Sequence, residues 1–114
     1  MSKRNPLLYI NDIIESAEAI LSFTDSVEFD VFVGDRMRSS AVIREFEVIG
    51  EAVSKIPEDI KSNYPDIRWQ EMKDFRNLLI HEYFGVDLEI VWNVVMEDLP
   101  DLYRAIKQIR DDNE

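Results

Sequence analysis

The chain has 114 residues, enough to enclose one core and too few to divide into two ordinary domains. Its residues are 46% hydrophobic and 32% charged, the balance of a packed chain, and 13 Lys and Arg against 24 Asp and Glu leave a net charge of -11. That charge excludes binding driven by a broad basic surface, and the absence of cysteine excludes disulfides, thiolate metal sites, iron-sulfur clusters and cysteine nucleophiles. The longest apolar runs, such as Leu78-Leu79-Ile80 and Val31-Phe32-Val33, fall far short of the roughly 20 residues that cross a bilayer. Lys3 and Arg4 could open a signal peptide, but Asn11, Asp12 and Glu15 interrupt the apolar stretch that such a leader needs. The expectation is an untargeted, cytoplasmic chain with no membrane partner.

Apolar residues recur at three and four rather than at two, which predicts an all-α fold. Asn5-Pro6 opens the first helix, since Asn can cap free amides and proline is tolerated at the first helical position. Ile10, Ile13, Ile14, Ala17, Ile20 and Leu21 form its apolar stripe. Thr24 to Asp30 reads as a loop, with a short helical turn around Phe29 to Val33. From about Ser39 a second long helix carries Val42, Phe46, Ile49, Val53 and Ile56 and ends at Pro57. Gly50 weakens that helix by roughly 1 kcal/mol relative to alanine, a cost that points to close approach of a neighbouring helix. A connector with one helical turn comes next, up to Tyr64-Pro65-Asp66.

The third helix is predicted from about Arg68 to Phe84, with Gly85 as a left-handed cap, and Asp87 caps the fourth. Leu88, Val91, Val95, Leu99, Leu102, Ile106 and Ile109 are its buried face, and Pro100 should kink it near Leu99. Residues 110–114 read as a frayed tail. The expected architecture is one domain over residues 1–114, an up-and-down bundle of four main helices plus short helical pieces.

The third helix carries the informative segment. Trp69, Met72, Phe75, Leu79, Ile80 and Tyr83 form one apolar arc at 100° per residue, and Arg76 lies near its middle. A guanidinium cannot shed its charge, so Arg76 must meet a carboxylate such as Glu47 or Glu51, reach a polar cleft, or face an anionic ligand. His81, the only histidine, lies about 140° around the helix from Arg76, on the polar side. Asn77 precedes it by one turn and can bond the ring or an anion. Leu78, near His81 on that polar face, suggests that the face meets something. Tyr83 points with Arg76, so all four converge only if the helix end unwinds near Gly85 or a second subunit contributes.

Other chemistries find little support. A single histidine cannot supply a zinc-protease pair, so no metal and no cofactor is expected, and neither a glycine-rich phosphate loop nor a nucleophile turn occurs. Glu58-Asp59, Glu97-Asp98 and Asp111-Asp112 read as solvated surface. Arg36, Arg38 and Arg44 are the one local concentration of positive charge, ordinary helix-surface residues by default, with phosphate-backbone anchors as the weaker alternative.

The run Arg76-Asn77-Leu78-Leu79-Ile80-His81-Glu82-Tyr83 resembles the R-x4-H-x-Y motif of HepT-like HEPN-domain ribonucleases. The similarity extends through Phe84 to Trp92, Glu97 to Pro100, Ala41 to Arg44 and Ile49-Gly50-Glu51-Ala52, nearly the whole chain. It implies an α-helical homodimer acting as a metal-independent RNase, the toxin of a module whose antitoxin is an MntA-like nucleotidyltransferase. By the same resemblance Arg76 and His81 are catalytic, and Tyr83 is the tyrosine that the partner modifies with AMP. A competing expectation is a non-catalytic helical partner or regulator of a nucleotidyltransferase.

Overall fold

Asn5 opens the first helix as the sequence predicts: its side chain accepts from the Leu7 amide at 2.9 Å, and α1 runs Pro6–Thr24. The computed structural model describes residues 5–82 and 85–113, and every regular element among them is helical. After α1 come α2 (Phe29–Gly34), α3 (Arg36–Lys55), α4 (Glu58–Asn63), α5 (Trp69–His81), α6 (Leu88–Asn93), a π-helical turn (Val94–Asp98) and α7 (Leu99–Asp112). The fold is therefore an all-α bundle whose four main members are α1, α3, α5 and the α6–α7 arm. Among the described residues no helix is long and apolar enough to cross a membrane.

The core lies where α1 packs against α3 and α7, and α3 in turn packs against α5. Ile10, Ile13, Ala17 and Ile20 of α1, Val42, Ile49 and Val53 of α3, and Leu99, Ile106 and Ile109 of α7 are wholly enclosed. Phe32 of α2 is enclosed as well and lies 5.0 Å from the Trp92 ring, which ties the short α2 to α6.

Four boundaries differ from the sequence expectations. The second main helix starts at Arg36 rather than near Ser39, because the Asp35 side chain caps it by accepting from the Arg38 amide at 3.1 Å. The third ends at His81, and Gly85 is not a left-handed cap, since no described glycine has a positive φ. Glu82 leaves the helix at φ -98° and ψ 30°, a conformation open to any residue, and its carbonyl accepts the Gly85 amide at 2.8 Å. Before Pro100, which has no amide proton, the expected fourth helix is divided by a π turn in which the Leu99 N–H donates back to the Val94 carbonyl. The expected frayed tail is helical to Asp112, held by Tyr64 Oη donating to Asp112 Oδ2 at 2.6 Å and Gln108 Nε2 donating to Asp112 Oδ1 at 2.7 Å.

Candidate active site

Helix α5 is pinned to the bundle at several points. The Trp69 indole donates to the Tyr64 carbonyl at 3.1 Å, Met72 and Leu79 are buried, and the Phe75 ring meets Phe46 of α3 edge-on at 5.1 Å. Arg76 follows Phe75 on this inward side. There α3 presents Gly50, and a Cβ at that position would fall 2.1 Å from Arg76 Cβ and 2.6 Å from its Cγ. The close approach expected of Gly50 is thus made by the stem of Arg76 itself.

Its head emerges beside the next residue of α3. Arg76 Nη2 donates to Glu51 Oε2 at 2.6 Å and Nη1 donates to Asn77 Oδ1 at 3.0 Å, with the arginine side chain 26% exposed. Of the two carboxylates that the spacing offered, Glu51 is the partner. Glu47 lines the same groove, a recess of ≈ 300 Å³ that also takes in Tyr9, Arg44, Lys55 and Ile80. Lys55 Nζ lies 3.9 Å from Glu51 Oε1, so the groove alternates positive and negative groups and could seat an anion beside a cation. The sequence pattern does not single out Tyr9 or Lys55, although Lys55 stands one helical turn after Glu51.

His81 is the last residue of α5 and is exposed. It does not line the Arg76 groove, as the angle of about 140° between the two positions requires. Asn77 gives its amide oxygen to Arg76 rather than to the ring. Tyr83 lies outside the described residues. Beside this end of α5, Leu78 and Ile90 stay 42% and 44% exposed around an apolar hollow of ≈ 190 Å³ that includes Phe75 and Val86. One chain therefore supplies Arg76 and His81 on two different faces of one helix.

The three arginines of α3 part company. Arg36 is exposed at the start of the helix, whereas Arg38 pairs with Asp35 at 3.3 Å and donates to the Phe23 carbonyl, tying the α1–α2 connection down. Arg44 alone shares the groove with Arg76.

A family model described as "Ribonuclease HepT-like" matches residues 13–109. "Probable ribonuclease HepT" of Thermococcus cleftensis is 44% identical over 108 residues, covering 95% of this chain and 98% of its own. A protein of Methanocaldococcus jannaschii named as a candidate RNase is 39% identical over 107 residues, 94% of this chain and 98% of that one. A second from the same organism, also named as a candidate RNase, is 40% identical over 114 residues, 100% of this chain and 94% of its own. No solved structure gives a significant match.

Proposed function

We propose that this chain, which belongs to the HepT-like ribonuclease family, cleaves RNA without a metal cofactor through Arg76 and His81 brought together by two copies of the chain. The observation that carries the reading is Arg76: a permanent cation, oriented by Glu51 and Asn77 at the mouth of a polar groove, on the helix that ends in the only histidine. RNA brings its own nucleophile, the 2′-hydroxyl, so the protein needs only to move protons and stabilise charge on phosphorus. The 2′-oxygen attacks the adjacent phosphorus as a histidine takes its proton. The bond to the 5′-oxygen then breaks, and that oxygen receives a proton from an imidazolium.

Arg76 holds the phosphate as its charge grows, a task suited to a planar fork that stays ionised. Two-fold symmetry supplies one histidine for each proton transfer, and the exposed Leu78 and Ile90 give that end of α5 an apolar surface to cover. Cleavage then yields a 2′,3′-cyclic phosphate and a 5′-hydroxyl, identified by mass spectrometry of the fragments. Fragments with 5′-phosphate ends would contradict this chemistry.

In the same reading the enzyme is the toxin of a two-component module, silenced when a nucleotidyltransferase antitoxin transfers AMP to Tyr83. The tyrosine oxygen attacks the α-phosphorus of ATP and pyrophosphate leaves. The adduct adds bulk and negative charge to a protein that must receive an anionic RNA. An unchanged mass for the Tyr83 peptide after co-expression with such a partner would count against the modification. The net charge of -11 favours a second reading, a non-catalytic helical partner of a nucleotidyltransferase, which predicts no cleavage by the pure protein.

A further inference from the structure

Arg76 does not aim itself. Its Cβ and Cγ are pressed against α3 at Gly50, so the guanidinium emerges beside residue 51. Two acceptors from two helices then fix the plane of the fork: Glu51 Oε2 on Nη2 at 2.6 Å and Asn77 Oδ1 on Nη1 at 3.0 Å. Glu51 is 51% exposed, and pairs of that exposure add little to stability because solvent screens them. Orientation is a different matter, since a guanidinium recognises phosphate through parallel N–H bonds in one plane.

We propose that Glu51 is a positioning residue for RNA cleavage: it holds Arg76 in the plane that receives the scissile phosphate. The proposal rests on Arg76 being the phosphate-binding group. A carboxylate next to an arriving phosphate carries a cost, because its charge repels the ligand that Arg76 attracts. Removing it therefore has opposed effects on two kinetic constants. Orientation is lost, which lowers kcat, while repulsion is relieved, so KM does not rise. The opposite arrangement, with Glu51 as a latch that RNA must displace, predicts a faster enzyme once the latch is gone.

The test is steady-state cleavage of a single-stranded RNA oligonucleotide in EDTA by wild type, Glu51→Ala, Glu51→Gln and Arg76→Ala, with melting temperature measured for each. Glu51→Ala should lower kcat by about tenfold to 100-fold, the range that misplacing a catalytic group produces, with KM unchanged or reduced. Glu51→Gln should restore part of kcat, because its amide oxygen still accepts from Nη2. A rise in kcat/KM for Glu51→Ala would overturn the proposal in favour of a latch, and equal losses in both variants that track melting temperature would reduce Glu51 to a structural role. If Arg76→Ala or both Glu51 variants match wild type, the proposal falls. An inactive Arg76→Ala beside wild-type Glu51 variants would leave the assignment of Arg76 standing and remove Glu51 alone.

Discussion

A single hydrogen at position 50 decides where Arg76 can stand. An alanine there would gain about 1 kcal/mol of helix propensity, yet its methyl group would meet the rigid stem of Arg76 at 2.1 Å rather than a movable tip. Overpacking of this kind costs about 1–3 kcal/mol, so Gly50→Ala should lower the melting temperature and push Arg76 away from Glu51, with loss of activity. A higher melting temperature with full activity would show that α3 and α5 separate without cost. The demand for a partner is legible in the sequence because Arg76 breaks an apolar arc. Which carboxylate meets it is not, since Glu47 and Glu51 lie one turn apart on the same side of α3 and only the crossing point at Gly50 selects between them. For Asn77 the difference is local. The sequence offers it the ring or an anion, whereas the Arg76 stem, laid along α5 and α3, brings the guanidinium to it first.

At the scale of the helix, caps and stripes are readable and endings are less so. Asn5 and Asp87 cap as their positions suggest, because a short polar side chain before a helix has one obvious set of donors to meet. Asp35 carries the same signal after Gly34, and its cap places the start of α3 three residues before the apolar stripe alone would. The end of α7 depends on α4's neighbour Tyr64, 48 residues away, and no local pattern contains that contact. Hydrogen bonding from Tyr64, and then from Gln108, holds the Asp112 carboxyl below its ordinary pKa, while the same bond raises the Tyr64 hydroxyl. Because the folded value for Asp112 is depressed, its contribution is complete above the unfolded value of about 3.9 and is lost as pH falls through the lower folded value. Tyr64→Phe should move the Asp112 titration upward, followed by carboxyl NMR, and shrink the stability lost on acidification below about pH 4. An Asp112 curve that does not move would mean that Tyr64 is not its principal partner in solution.

For the whole molecule, 41 Å in its longest direction, the proposed reading sets a net charge of -11, which opposes the approach of RNA, against the attraction of Arg76, Arg44 and Lys55 for a phosphate in a groove that Asp12, Glu47 and Glu51 also line. These act over different lengths. The Debye length falls from about 30 Å at 0.01 M salt to about 10 Å at 0.1 M, so added salt first screens the molecule-wide repulsion. KM for RNA should therefore stay level or fall over that interval, and a steep rise would show that a basic surface drives binding. The bundle is legible because four apolar stripes leave few ways to pack. The proposed site is not, because Arg76 and His81 occupy different faces of α5 and the proposal joins them only through a second copy, which a single sequence does not display. The most direct test of the account is cleavage of a mixed RNA pool in EDTA by wild type, Arg76→Ala and His81→Ala, with helicity and oligomeric state checked for each. Cleavage by wild type alone, from variants that stay folded in the same assembly, is the predicted result; equal cleavage by all three, or none by unmodified wild type, would contradict a ribonuclease centred on these two side chains.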